Sequence, residues 1–575
     1  MSRSDDAPGL PYDGDRPVVT RKIRWAAVGM AVGLLALLGP GRAAMARTED
    51  PGPVTEVLRE RLDQLQTAGR IEAGGAEIVS RHALPVLYAQ NGYRPFWTPD
   101  RLDMLLELVR ESAEDGLRPE DYHEAALTKL APGLKTPGVD AATRAQGDLL
   151  ATDGFFLLLY HLYLGKVDPK ALDPQWNFEL RPVGDRAALP FVRDALTQGR
   201  LKEAVAQVRP DYWWYGRARA ALAEYRALAA RGGWAAVPSG KKLQPGVKDA
   251  RVPALRRRLA ATGELSGQPL DSETFDEPLA AAVKEFQSRH RLEADGTVGP
   301  GTLAELNVSV ESRIVQIRIN LERARWVLNE ITAGDLVIVD VAGFEVAFVR
   351  DRGVLWKAKI QVGKPYRQTP IFKSVIDHVV FNPTWTVPPG IIAKDILPAV
   401  KRDPGYLKKK KLDVIDRSGR KVDSSSINWS KQSAGAFPYM LRQEPGPDNA
   451  LGRVKIMFPN PYFVYLHDTP SKALFEKEER AFSSGCIRVE RPLELAELLL
   501  NDARKWNARA IAEVIAAGET LTVRLPKPVA VLLMYWTIDP GAEGHVVFKR
   551  DPYGRDPRLA QALDAPFRPG QRPAP

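Results

Sequence analysis

Residues 462–468 read YFVYLHD, and residues 483–489 read SSGCIRV. The first stretch is rich in aromatic and β-branched residues, which is typical of a β-strand, and the predicted strand ends at His467. His467 lies 19 residues before Cys486. Adjacent strands joined by a loop would bring these two side chains within hydrogen-bond reach.

These two segments contain the residues of an acyl-transfer site. Cys486 is the only cysteine in the chain, and a thiol needs a neighbouring base such as His467 to be nucleophilic near neutral pH. Gly485 lets the backbone pass close to a substrate, and the amide of Cys486 would help to form an oxyanion hole. Arg488 projects to the same side as Cys486 in an extended chain and would hold a substrate carboxylate. On these residues alone, a buried free cysteine with an unrelated histidine stays open.

The second half of the chain, from Leu336 onward, has the composition of β-strands. We predict a mainly-β catalytic domain over residues 334–525, with a helix that runs from Pro492 to about Lys505. Residues 388–449 inside it are polar, rich in lysine and poor in strand character, so we predict a flap over the sheet; a rigid loop is the alternative. Residues 526–575 are predicted to form a C-terminal hairpin and tail.

The first half has helical periodicity. Apolar residues recur at helical spacing over residues 47–235, which predicts a helical scaffold. Residues 244–308 form a small separate unit of three helices, with a turn at Asp295 and Gly296. Residues 309–333 have apolar residues at spacings of three and four, as expected for a long linking helix. The predicted fold class is therefore an α+β multidomain protein.

The N-terminus has the plan of a secretory signal peptide. Basic residues precede the apolar run from Ala26 to Leu38, and small residues around Ala46 mark a cleavage site, so residues 1–46 are predicted to be the signal. The apolar run is short for a membrane span, although an uncleaved anchor is the alternative. Both interpretations predict export to the periplasm, with no stable membrane span beyond the signal sequence.

Charge and histidine spacing limit the ligands. The net charge of +10, from 81 basic and 71 acidic side chains, favours an anionic partner. No nucleic-acid-binding signature accompanies it, so an acidic cell-wall polymer is the better candidate and no nucleic acid is expected. The seven histidines show no metal-ligand spacing, so we expect no metal and no cofactor.

The segment from His467 to Arg488 resembles the signature of L,D-transpeptidase catalytic domains, in which a histidine precedes Ser-x-Gly-Cys-x-Arg. Here Ser483 and Ser484 both precede the glycine. Residues 362–364 (VGK), 367–370 (RQTP) and 382–388 (NPTWTVP) resemble the large branch of that family. Residues 282–287 (AVKEFQ) and 292–302 (LEADGTVGPGT) resemble a peptidoglycan-binding module, which in other proteins also serves as a plain structural insert.

The resemblance implies a reaction and roles for the site residues. The Cys486 thiolate would attack the third residue of a peptidoglycan tetrapeptide stem, and an amine of another stem would resolve the thioester to give a 3→3 cross-link. His467 would be the base, oriented by the backbone carbonyl of Asp468, with Gly485 beside the nucleophile and Ser484 and Arg488 binding substrate. Carbapenems acylate this family. The implied partners are stem peptides and glycan, and other wall-synthesis enzymes stay open. A hydrolytic L,D-carboxypeptidase or endopeptidase and a non-catalytic wall-binding scaffold are the alternatives.

Overall fold

The computed structural model describes residues 52–172, 176–178, 185–328, 331, 333–541 and 545–567. The predicted signal peptide, residues 1–46, lies outside these ranges. Among the helices in them, none combines the length and the apolar character that crossing a membrane requires.

The N-terminal region is mainly helical and is built around one long helix. Helix α5 (Ala141–Leu164) buries residues on all its sides, because the run from Phe155 to Leu159 has no polar face. Asp140 caps its start by accepting from the Thr143 amide at 2.8 Å, and Gly165, at φ +84°, follows its end. The elements of this region are α1 (Pro53–Ala68), β1 (Glu72–Ala73), β2 (Ala76–Glu77), α2 (Ala83–Gln90), α3 (Pro99–Glu111), α4 (Glu124–Leu134), α5 (Ala141–Leu164), α6 (Pro169–Leu172), β3 (Trp176–Asn177), α7 (Asp185–Gln198), α8 (Leu201–Val208) and α9 (Trp213–Ala230).

Three helices follow and enclose their own small core. They are α10 (Val252–Ala261), α11 (Glu277–Arg289) and α12 (Pro300–Leu306). Leu255, Val283 and Phe286 lie at the centre of this core and are fully buried. The turn at Gly296, at φ +76°, is fixed because its amide donates to the side chain of Gln287 at 2.8 Å.

Helix α13 (Val310–Val327) connects these helices to the sheet. It packs against α9, and its buried Arg325 pairs with Glu322 at 2.5 Å. It also carries Asn320 and Arg323, which contact the C-terminal segment of the chain.

The C-terminal half contains a large mixed sheet. Its strands are β4 (Asp335–Asp340), β5 (Glu345–Arg350), β6 (Gly353–Gly363), β7 (Ile371–Phe381), β12 (Val454–Met457), β13 (Leu466–His467), β14 (Ala481–Ser483), β15 (Ile487–Val489) and β16 (Leu521–Met534). Their spatial order is β12-β13-β15-β6-β5-β4-β16-β7-β3, and β14 pairs with β6. Strand β12 also pairs with β7, so the sheet closes on itself. Helices α17 (Pro492–Leu500) and α18 (Ala508–Ala517) pack beside it. The predicted α+β multidomain class is confirmed.

The insertion is a folded unit, and the prediction that residues 388–449 have little strand character was wrong. The strand that precedes it is β8 (Trp385–Thr386), and its own elements are α14 (Pro389–Ile391), a π-helical turn (Ile392–Ile396), α15 (Leu397–Arg402), α16 (Tyr406–Lys409), β9 (Asp413–Ile415), β10 (Lys421–Val422) and β11 (Met440–Gln443). The strands form a four-stranded sheet in the order β10-β9-β11-β8. Its core includes Val400, Val414 and Leu441. Strands of two to four residues are too short to give a period-two signal, which explains the error.

Two further boundaries differ from prediction. The proposed start of the C-terminal hairpin at residue 526 falls inside β16, whose residues Ala530–Met534 pair in parallel with β4. The helix that starts at Pro492 ends at Leu500 rather than near Lys505, with Asn501 in the left-handed conformation at φ +46°. A short hairpin does form from β17 (Ile538–Asp539) and β18 (Val547–Phe548), and a helix that was not predicted, α19 (Asp556–Asp564), follows it.

Candidate active site

Four polar side chains lie in one row across neighbouring strands of the closed sheet. In the strand register, Lys455 of β12 is opposite His467 of β13, His467 is opposite Arg488 of β15, and Arg488 is opposite Gln361 of β6. Directly opposed residues share a face of the sheet. His467 therefore lies between two cationic side chains.

His467 is buried and has one hydrogen bond that fixes its tautomer. Its Nδ1 donates to the backbone carbonyl of Asp468 at 2.5 Å, so Nε2 is left as the proton acceptor. Burial and the neighbouring charge of Arg488 together lower the pKa of His467 to about 3. The imidazole is therefore neutral near pH 7, as a general base must be.

The Asp468 side chain holds this carbonyl in place. Its Oδ2 accepts from the Arg453 amide at 2.9 Å, and its Oδ1 accepts from Lys472 Nζ at 2.6 Å. Both carboxylate oxygens are therefore held, which restrains the residue whose carbonyl orients His467. The sequence predicted a role for the carbonyl alone and missed this role of the side chain.

Cys486 is half-buried beside β13, with its thiol 3.7 Å from the backbone carbonyl of Phe463. Burial raises the pKa of the Cys486 thiol, although hydrogen bonding to Tyr465 and the positive charges of Lys455 and Arg488 oppose that rise. A thiol with a raised pKa is mainly protonated near neutrality, so attack requires a base to take its proton.

The segment before Cys486 is rigidly held. Ser483 Oγ donates to the Cys486 carbonyl at 2.6 Å and accepts from the Gly485 amide at 3.0 Å. Gly485 has φ +119°, a conformation that other residues rarely adopt. Because the Gly485 amide is occupied, the Cys486 amide, which has no hydrogen-bond partner among the described residues, is the better candidate for an oxyanion hole.

Ser484 and Arg488 occupy different positions. Ser484 is exposed, and its hydroxyl accepts from Arg367 at 2.9 Å, while Arg367 also pairs with Asp395 of the insertion at 2.5 Å. Arg488 donates from Nη1 to Gln361 at 3.1 Å. Within the part of the chain that the structure describes, Arg488 has no acidic partner and its Nε has no hydrogen-bond acceptor. It therefore keeps capacity for a substrate carboxylate.

A cleft of about 550 Å³ connects these residues. His467, Ser484, Cys486 and Arg488 all line it, so the predicted side chains face one space. Its other walls include Trp385, Pro389, Ile391, Lys394, Leu451, Tyr462, Phe463 and Tyr465. Pro389 and Ile391 come from α14 and Lys394 from the π-helical turn that follows it, so the start of the insertion forms one wall of the cleft.

Sequence reasoning missed Lys455 and Tyr465. The Lys455 ammonium lies 4.0 Å from the centre of the Tyr465 ring, and the Tyr465 hydroxyl contacts the thiol. Tyr465 and His467 are two residues apart in the sequence, and in an extended segment this spacing is a signal that they share a face. The position of Lys455 depends on a strand pairing that no local pattern shows. In the described ranges, no group of three or more His, Cys, Asp or Glu side chains could hold a metal ion.

Comparison with known proteins divides the chain into three parts. Residues 82–222 match the family model of a scaffold domain, residues 248–306 match that of a "Putative peptidoglycan binding domain", and residues 319–522 match that of the L,D-transpeptidase catalytic domain. A curated protein of Haemophilus influenzae named "Putative L,D-transpeptidase" is 35% identical over 254 residues, which cover 44% of this chain and 50% of that protein. The chain thus spans half the length of the curated relative it matches.

Two solved structures are also similar to this chain. The L,D-transpeptidase of Xylanimonas cellulosilytica is 16% identical, with a TM-score of 0.17, over 52% of this chain and 98% of that one. The L,D-transpeptidase of Stackebrandtia nassauensis is 13% identical, with a TM-score of 0.19, over 52% of this chain and 96% of that one.

Proposed function

We propose that this chain, which carries an L,D-transpeptidase catalytic domain together with a scaffold domain and a peptidoglycan-binding domain, cross-links peptidoglycan through a cysteine acyl-enzyme. The observation that carries the proposal is the shared cleft of Cys486 and His467. Both residues line this cleft: burial keeps the thiol protonated, and the neutral imidazole has an Nε2 with no hydrogen-bond partner among the described residues.

The proposed donor is a tetrapeptide stem. His467 Nε2 takes the thiol proton as Cys486 Sγ attacks the carbonyl carbon of the third residue, and the Cys486 amide stabilises the oxyanion. The bond to the terminal D-alanine then breaks, and His467 returns the proton to the leaving amine. This gives a thioester and free D-alanine.

The proposed acceptor is the side-chain amine of the third residue of another stem. It attacks the thioester, loses a proton to His467, and releases the thiol with a new 3→3 amide bond. Arg488 is suited to hold a stem carboxylate during both steps, because it faces the cleft without an acidic partner among the described residues. Export by residues 1–46 would place this reaction in the periplasm, where peptidoglycan stems are found.

The test is incubation of the purified protein with tetrapeptide muropeptides, followed by mass spectrometry of the products. Dimers with release of one D-alanine per cross-link support the proposal. Trimmed monomers without dimers indicate an L,D-carboxypeptidase. The matched control is Cys486→Ala, and intact-mass analysis with a carbapenem should show an adduct on the wild-type chain alone. The absence of both products and adduct would indicate a non-catalytic wall-binding protein.

A further inference from the structure

The peptide bond between Gly485 and Cys486 is held by a buried threonine from another loop. Thr369 Oγ1 donates to the Gly485 carbonyl at 2.9 Å and accepts from the Gly363 amide at 2.9 Å. Because a peptide unit is planar, a hydrogen bond that fixes the Gly485 carbonyl also fixes the direction of the Cys486 N–H. Thr369 therefore fixes the direction of the Cys486 amide.

The loop that carries Thr369 is fixed in turn by a tyrosine near the C-terminus. The Tyr553 hydroxyl donates to the Gly363 carbonyl at 2.7 Å and accepts from the Thr369 amide at 3.1 Å. Gly363 has no room for a side chain, since a Cβ there would lie 2.1 Å from the Arg367 carbonyl oxygen. The loop can therefore pack in this way only around glycine, and the tyrosine hydroxyl links its two ends.

Tyr553 itself is anchored from several sides. Its amide donates to the Tyr535 hydroxyl at 3.0 Å, and the two rings stack with centroids 5.6 Å apart. The Tyr535 hydroxyl donates to Asp551, and Asp551 also accepts from the Asp556 amide at 2.8 Å. Asp556 pairs with Arg323 of α13 at 2.7 Å. The hydrogen bonds thus run from the linking helix to the nucleophile.

We propose that Tyr553 and Thr369 are positioning residues that orient the oxyanion-stabilising amide of Cys486. The inference rests on the proposed function, because only an acyl-transfer site needs that amide. It assigns a part in the reaction to the C-terminal segment, which lies outside the residues 319–522 that match the catalytic domain.

The test compares two reactions of the same thiol. Acylation by a carbapenem forms an oxyanion, whereas alkylation by iodoacetamide displaces iodide and forms none. Removing the hydroxyl in Tyr553→Phe should slow acylation about 10- to 100-fold, while alkylation stays within about twofold. Thr369→Val should act in the same way, and Thr369→Ser, which keeps the hydroxyl, should restore most of the rate. Tyr225→Phe, at another buried tyrosine, is the matched control.

The outcomes separate the two proposals. Acylation of both Tyr553→Phe and Thr369→Val within about twofold of the wild-type rate would overturn the inference and leave the proposed function standing. An equal fall of acylation and alkylation would also overturn it, because that would show damage to the thiol or to the fold. A wild-type chain that a carbapenem does not acylate would overturn the proposed function, and this inference with it.

Discussion

Lys455 provides a direct measure of how the sheet stabilises the thiolate. Its charge opposes the rise that burial causes in the pKa of Cys486, so Lys455→Met should raise that pKa. Methionine keeps most of the side-chain volume, and the lysine has no acidic partner among the described residues. The substitution therefore removes a charge with little loss of packing.

The size of the effect follows from the path between the two groups. The ammonium lies 4.0 Å from the Tyr465 ring centre, and the Tyr465 hydroxyl contacts the thiol; this puts the charge roughly 8 Å from the sulfur. With an effective dielectric constant of about 20, the interaction is about 2 kcal/mol. Solvent reaches part of Lys455, so we halve this to about 1 kcal/mol, which is about fivefold in the thiolate fraction.

The assay is the rate of iodoacetamide alkylation of Cys486 between pH 6 and 10, followed by intact mass. The thiolate fraction below the pKa changes tenfold per unit, so alkylation of Lys455→Met at pH 7 should be about fivefold slower. Lys455→Arg should keep the wild-type profile. Lys359→Met is the control, since Lys359 lies in the same sheet but pairs with Glu476 at 3.0 Å. An unchanged or downward-shifted profile for Lys455→Met would refute the reasoning.

Three further predictions concern the base, the insertion and the peptidoglycan-binding unit. The pKa of His467 is lowered to about 3, so the neutral base is lost only as the pH falls through that value. The rate of carbapenem acylation between pH 4 and 8 should therefore show no decrease near pH 6.5. A decrease there would contradict the assignment of His467 as a base with a lowered pKa. Asp395→Asn weakens the ion pair between the insertion and Arg367. We expect this substitution to raise the ratio of hydrolysed monomer to cross-linked dimer while carbapenem acylation persists. Asp403→Asn is the control, since it changes an ion pair elsewhere in the insertion and should leave the ratio unchanged. Excision of residues 244–308 should weaken pull-down by sacculi more than turnover of soluble stems, and unchanged pull-down would show that this unit is only structural.

The core of the site could be predicted because its signals are local. His467 and Cys486 each stand beside residues whose types indicate a strand or a tight turn, and one cysteine leaves one candidate. The long helical stretches were equally clear, since a period of 3.6 repeats many times over a helix such as Ala141–Leu164.

The remaining parts depend on contacts between residues that are distant in the chain. Lys455 reaches His467 through strand pairing, and Tyr553 reaches Gly363 through a contact across 190 residues. Neither Lys455 nor Tyr553 has neighbours in the sequence that indicate a role in the site. The insertion was misjudged because strands such as Lys421–Val422 are too short to show a pattern.

The parallel pairing of β13 with β15 also bears on how related sequences can be searched. Parallel neighbours cannot be joined by a tight turn and need a crossover of about a dozen residues or more. The crossover contacts the site at its two ends, where Lys472 holds Asp468 and Ser483 holds Cys486, while its middle consists mostly of exposed residues. A sequence pattern used to find related proteins should therefore set no upper limit on the number of residues between the histidine and the cysteine. It should reject any spacer too short to cross over, however well the flanking residues agree.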